Sequence, residues 1–191
     1  MQLIYYVAVS LDGFVAPVDG GVDWLAPYNT GDEDYGFGEF YRSVDVLIEG
    51  SKTYEQALTF DAWPHPGKPC WVLTSRELAS RQPEVRFSSA APSALVDHLS
   101  RQGHKRVWLV GGPELAASFR ATGLISEYVL SVVPVLLGAG KPLFAGAGPV
   151  EGVRLVESKQ YSSGLVQLRY LRADGAQQAA PADAPTSWGR R

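Results

Sequence analysis

The chain has 191 residues, 46% of them hydrophobic and 19% charged, with a formal net charge of −3. That length fits one domain, or one domain with a tail, and the balance is that of a globular rather than a disordered chain. The acidic charge and 17 scattered Lys and Arg argue against a nucleic-acid surface, while one cysteine and three widely spaced histidines exclude a disulfide framework and a Cys-based zinc site.

Residues 3–9 (LIYYVAV) form a continuous apolar run of strand length, rich in β-branched and aromatic side chains. Residues 34–43 have a helical pattern, and residues 44–49 (VDVLIE) a second strand pattern. A helix is expected over 51–58, a strand over 70–74, a helix over 93–102 capped by Ser93, and a strand over 106–110. Residues 113–122 follow as a helix with Pro113 in its first turn, where proline is tolerated, and residues 128–136 as a strand. Gly138-Ala139-Gly140 and Gly146-Ala147-Gly148 read as turns around Lys141-Pro142-Leu143-Phe144. Residues 153–161 and 165–171 flank Ser162-Ser163-Gly164 and predict a hairpin.

Continuous apolarity suggests strands covered on both faces, as in a parallel sheet. The predicted fold is therefore an α/β sandwich with a mostly parallel central sheet and a C-terminal antiparallel hairpin. The domain is expected over residues 1–172, and the Ala- and Pro-rich residues 173–191 as a flexible tail. No basic stretch precedes an apolar run at the start, and no apolar run reaches about 18 residues, so neither a signal peptide nor a membrane span is expected. A cytoplasmic, soluble protein is the expectation.

Three strand-to-helix junctions carry candidate chemistry. Gly50-Ser51-Lys52-Thr53-Tyr54-Glu55 follows the second strand, where a glycine turn and helix N–H groups suit an anion. The alternative is a capped helix in which Ser51 and Thr53 satisfy the first N–H groups. Val110-Gly111-Gly112-Pro113-Glu114-Leu115 ends another strand, and paired glycines permit close approach of a ligand or a tight turn with φ > 0. Thr74-Ser75-Arg76 offers two hydroxyls and a guanidinium to a terminal phosphate, or simply a surface loop. All three fall at the same edge of one predicted sheet. Among the aromatics, Trp24 and Phe37 are candidates to stack a flat heterocycle, whereas Trp71 and Trp108 read as core.

These segments, with Ala8-Val9-Ser10-Leu11-Asp12-Gly13 and Pro134-Val135-Leu136-Leu137-Gly138, resemble the dihydrofolate reductase-like superfamily. The resemblance is nearest to the C-terminal reductase domain of the bacterial riboflavin-biosynthesis deaminase/reductase (RibD), and it spans residues 2–171. It implies a three-layer sandwich and an NADPH site. Val7 and Ala8 would meet the nicotinamide carboxamide; Gly50, Ser51, Lys52 and Thr53 the pyrophosphate. Thr74, Ser75 and Arg76 would meet the adenosine ribose and its 2′-phosphate, and Gly111, Gly112, Pro113, Glu114 and Leu115 the rest of the dinucleotide.

The arginine frequent in the family after the first glycine is Ser51 here, which leaves Lys52 and Arg76 to supply positive charge. By the superfamily's spacing, Asp34 is the carboxylate that orients the substrate ring and assists its protonation, directly or through water. An acidic helix start is the other reading of Asp34. The resemblance thus implies an NADPH-dependent reductase of a pteridine- or ribosylaminopyrimidine-like substrate, working as a homodimer without nucleic acid, membrane or metal. A true dihydrofolate reductase and a non-catalytic nucleotide-binding protein of the same fold are the alternatives.

Overall fold

The computed structural model describes residues 1–146 and 148–173. The turn residue Ala147 and the segment 174–191, assigned above to the tail, lie outside the described residues. An eight-stranded sheet runs through the molecule in the order β5-β4-β3-β6-β1-β7-β10-β9. Its first six members are parallel: β5 (Val85–Ser88), β4 (Cys70–Leu73), β3 (Val46–Gly50), β6 (Arg106–Gly111), β1 (Gln2–Ser10) and β7 (Glu127–Val133). β10 (Val166–Arg172) and β9 (Val153–Gln160) complete it as the expected antiparallel hairpin.

Helices cover both faces, which is why the central strands are apolar at most positions, with Glu49 of β3 and Glu127 and Ser131 of β7 among the buried exceptions. On one face Leu3, Tyr5, Val46, Ile48 and Leu109 pack against α3 (Pro92–Arg101) and α4 (Pro113–Ala121), through Leu95, Leu99 and Phe119. On the other, Ile4, Tyr6, Leu47, Val72 and Trp108 pack against α1 (Phe37–Ser43) and α2 (Ser51–Ala57), through Phe40, Tyr41 and Tyr54. Full burial of each aliphatic side chain stabilises the fold by roughly 1.5–3 kcal/mol. The result is the three-layer, dihydrofolate reductase-like sandwich.

Several boundaries move for local reasons. The helix expected from residue 34 begins at Phe37, because Gly36 is left-handed (φ 76°) and Asp34 folds back over the helix start. The strand expected to residue 136 stops at Val133, since Pro134 cannot donate to a ladder. α3 starts one residue early on Pro92, and no side chain, Ser93 included, caps its N-terminus. Gly112 has φ −78°, and it is Gly111 that takes a positive φ, 129°.

Short elements went unforeseen. β2 (Phe14–Ala16) pairs antiparallel with β8 (Lys141–Pro142), and a 3-10 helix occupies Asp23–Tyr28. Asp12 ties this end of the molecule together. Its carboxylate accepts from the Ser10 hydroxyl (2.6 Å) and from the N–H groups of Leu137 (3.1 Å) and Gly138 (2.7 Å), joining the loops after β1 and β7. The Ser10 hydroxyl, with help from those N–H groups, holds the Asp12 carboxyl below the usual carboxylate range.

Candidate functional site

Two cavities open at the carboxyl ends of the central strands, each of about 460 Å³, and Val7 of β1 lines both. Ligands of open α/β sheets bind at this end.

The first cavity lies between the starts of α2 and α4. Gly50, Ser51, Lys52 and Thr53 form one wall, and Gly112, Pro113, Glu114 and Leu115 the facing one. Both helices begin on glycine, and no side chain caps either N-terminus, so Ser51 and Thr53 do not play the capping part open to them. The two turns lie close together. A Cβ on Gly50 would meet the Gly111 carbonyl oxygen and the Gly112 nitrogen at 3.7 Å, and one on Gly112 would meet the Thr53 hydroxyl at 3.5 Å. Gly111 itself lines neither cavity. Lys52 and Glu114 face each other at 3.8 Å, both well exposed, so the pair contributes little.

The outer wall of this cavity was not foreseen. Val15 and Ala16 of β2, Gly20, Gln56 and Lys141 of β8 all line it. Gln56 Nε2 donates to the Gly20 carbonyl (2.8 Å), which pins the loop after β2 against α2. Lys141 is a second cation here, beyond Lys52. Its signal was weak, because a two-residue strand containing proline has no readable periodicity.

The second cavity is aromatic. Tyr6, Tyr28, Tyr35, Phe37 and Trp108 contribute to its wall, with Ala8, Ser131 and Leu165. Ala8 therefore faces this side, while its neighbour Val7 faces both. Trp108 belongs to the core, as expected, at 6% exposure, but one edge also reaches the cavity. Phe37 meets it in a T-shaped contact with centroids 5.5 Å apart. Trp24 does not reach the cavity. The 3-10 helix turns Leu25 and Tyr28 inward instead, and Trp24 packs on Val133, Tyr161 and Leu165.

Asp34 lies on the rim of this second cavity beside Glu33. Its two oxygens accept from the N–H groups of Gly36 (2.8 Å) and Gly38 (3.1 Å). Those N–H groups, with the nearby charges of Arg42 and Lys159, hold its carboxyl below the usual range. The acidic-helix-start reading of Asp34 is thus realised, and a carboxylate with two such bonds retains further acceptor capacity. Tyr35 takes a left-handed conformation (φ 53°), costly for a bulky residue, and its ring stacks edge-on against Tyr161 at 4.9 Å.

Thr74, Ser75 and Arg76 line a separate, open depression of about 480 Å³ beyond the end of β4. It shares no residue with the first cavity, but Leu73, which does line the first, immediately precedes it. Arg76 is already engaged by Glu55 of α2 through both terminal guanidinium nitrogens, one at 3.0 Å. Among the described residues no group of three or more His, Cys, Asp or Glu is placed to hold a metal, and no helix is long and apolar enough to cross a membrane.

Comparison with known proteins agrees with this architecture. The RibD C-terminal domain model matches residues 55–167. The uncharacterised protein YwjB of Bacillus subtilis (strain 168) is 36% identical over 173 residues, covering 90% of this chain and 98% of YwjB. A solved structure from Shewanella sp. PV-4, provisionally assigned to riboflavin biosynthesis, superimposes with a TM-score of 0.84 at 30% identity, over 91% of this chain and all of that one. Acinetobacter baumannii RibD shares the fold at 20% identity and a TM-score of 0.69; the match covers 90% of this chain and 58% of that one. With its parallel sheet, terminal hairpin and two-cavity cleft, the chain belongs to the RibD C-terminal domain family.

Proposed function

We propose that the protein is an NADPH-dependent reductase of a flat pteridine- or ribosylaminopyrimidine-like heterocycle, of the 5-amino-6-(5-phosphoribosylamino)uracil reductase type. The observation that carries this reading is the shared wall at Val7. A glycine-walled, cation-bearing cavity and an aromatic cavity of similar size meet there, so two rings bound one from each side would touch directly beside Val7, as hydride transfer requires.

NADPH, when bound, supplies the hydride. The chain's own residues hold and orient. Backbone N–H groups of Ser51, Lys52 and Thr53, and of Glu114 and Leu115 after Gly112, face the pyrophosphate, and Lys52 and Lys141 offset its charge. Thr74, Ser75 and Arg76 take the adenosine end with its 2′-phosphate. Phe37, Tyr28 and Trp108 stack the substrate ring and exclude water. Asp34, ionised at neutral pH, accepts a ring N–H and positions a water for the proton rather than giving up one of its own.

The test is NADPH oxidation with 5-amino-6-(5-phosphoribosylamino)uracil and, separately, with dihydrofolate. Turnover of the first supports the proposal; turnover of dihydrofolate alone assigns the dihydrofolate reductase reading. NADPH binding without turnover of any heterocycle favours the non-catalytic one.

Arg76 gives a sharper check on the cofactor. A charge-assisted hydrogen bond is worth roughly 1.5–3 kcal/mol, but Arg76 must share itself with Glu55. Arg76→Ala is therefore expected to weaken NADPH severalfold more than NADH in calorimetric titration. Equal weakening of the two would assign Arg76 to the Glu55 pair alone.

A further inference from the structure

The floor of the aromatic cavity holds a polar group that the reading above leaves unused. Three adjacent strands assemble it. Tyr6 stands on β1, Ser131 on β7, and Gln167 on β10 directly across from Ser131. Gln167 Nε2 lies 3.0 Å from the Tyr6 hydroxyl oxygen, 3.2 Å from the Ser131 hydroxyl oxygen and 3.2 Å from the Tyr35 carbonyl. Tyr6 and Ser131 are 9% and 6% exposed, and both line the cavity.

A proton count shows what this cluster lacks. An amide nitrogen carries two N–H donors, and here they serve three acceptor oxygens, two of them hydroxyls. Each hydroxyl still has its own O–H. The Tyr6 and Ser131 hydroxyls also hydrogen-bond each other, which uses one O–H. The other O–H has no acceptor among the hydrogen bonds of the described residues. A buried donor without a partner is costly, at about 1–3 kcal/mol, and this one borders a cavity large enough for a ring. The rim has the opposite character. Glu33 and Asp34 stand there, and an ionised carboxylate only accepts.

We propose that Tyr6 and Ser131 form a specificity-determining hydroxyl pair that donates to a carbonyl oxygen on the buried edge of the substrate, with Gln167 fixing its orientation. This rests on the aromatic cavity being the substrate cavity. It narrows the substrate class to oxo-heterocycles that enter with an acceptor edge inward and an N–H or amino edge toward Asp34. Burial keeps the Tyr6 phenol protonated well past neutral pH, as a hydrogen-bond donor requires.

Two probes of the same shape separate this role from simple packing: pterin, which carries a ring carbonyl, and 2,4-diaminopteridine, which carries an amino group in its place. Calorimetric titration of each into the full chain, with and without NADPH, is compared for wild type, Tyr6→Phe, Ser131→Ala and the double variant. The double variant is expected to bind pterin at least tenfold more weakly while 2,4-diaminopteridine changes less than about threefold. Ser131→Ala, the smaller change, is expected to move in the same direction with an unaltered melting temperature. Equal weakening of both probes, or of neither, would overturn the proposal and leave the reductase reading standing. Binding of neither probe by the wild type would overturn the substrate-cavity reading and this inference together.

Discussion

Gly140→Ala is expected to lower NADPH affinity more than tenfold and the melting temperature by several degrees. Gly140 immediately precedes β8, where the chain passes against β2. A Cβ there would fall inside contact distance of the Ala16 carbonyl oxygen, and would lie 3.1 Å from its carbon and 3.2 Å from the Pro17 Cα. All of these are backbone atoms, so no side chain can swing aside. The β2–β8 ribbon must move, and it carries Val15, Ala16 and Lys141, which wall the first cavity. Forcing an extra methyl into a packed contact costs about 1–3 kcal/mol. Gly146→Ala is the comparison. Its φ of 67° is unfavourable for alanine, but nothing lies within 4 Å of the added Cβ, so it is expected to lose about 1 kcal/mol of stability and no cofactor affinity. Thermal melts and NADPH titration of the two variants check this. Intact affinity in folded Gly140→Ala would remove the ribbon from the binding site.

Glu49→Gln is expected to stabilise the protein at alkaline pH and to do so less as the pH falls. Glu49 precedes Gly50 on β3, is fully buried, and accepts from the Cys70 thiol at 3.3 Å. Its other oxygen has no partner and lies 3.8 Å from His65 Nε2. Burial pushes the Glu49 carboxyl up to about 7 and the His65 imidazole down to about 4, and raises the Cys70 thiol.

For Glu49 the folded value exceeds the unfolded one. The folded chain keeps a proton that the unfolded chain has released, and the stability this gives is lost as pH rises from about 4.5 through about 7. For His65 the folded value is the lower, so stability rises with pH between about 4 and 6.5. The two slopes oppose each other in the acid range, and only the Glu49 loss continues toward pH 8. Glutamine cannot ionise, so it removes that loss. A tenfold change in proton affinity between the folded and unfolded chains is worth about 1.36 kcal/mol, so the gain at pH 8 over pH 5 has a ceiling of about 3 kcal/mol. Melting curves at the two pH values decide it: a wild-type-minus-variant difference that does not change with pH would contradict a buried, proton-holding Glu49.

Much of this could be read from the residues because burial on both faces leaves a mark along each strand. The runs containing Leu3, Leu47, Val72 and Leu109 are predominantly apolar because a helix layer lies on either side. The glycine pair was visible for a different reason, since Gly111 takes a positive φ of 129° that side-chain-bearing residues rarely adopt. β2 and β8 were not visible. Three and two residues carry no period, and it is their pairing with each other, not their own sequence, that makes them strands. The substrate side was harder still. Trp24 and Tyr28 stand on one short 3-10 helix, and only its placement turns Tyr28 inward and Trp24 away. The Tyr6–Ser131–Gln167 cluster joins three strands over a sequence separation of 161 residues, which no local pattern records.

The central claim is that a dinucleotide lies in the first cavity with its nicotinamide at Val7. Methyl-labelled protein in magnetic resonance tests it directly, through nuclear Overhauser contacts between the nicotinamide ring protons and the methyl groups of Val7, Leu73 and Leu115. Contacts to the Val7 methyls, with the adenine protons remote from them, are the predicted result. NADPH that gives no contact at Val7, or that contacts only residues outside the cleft, would contradict the account.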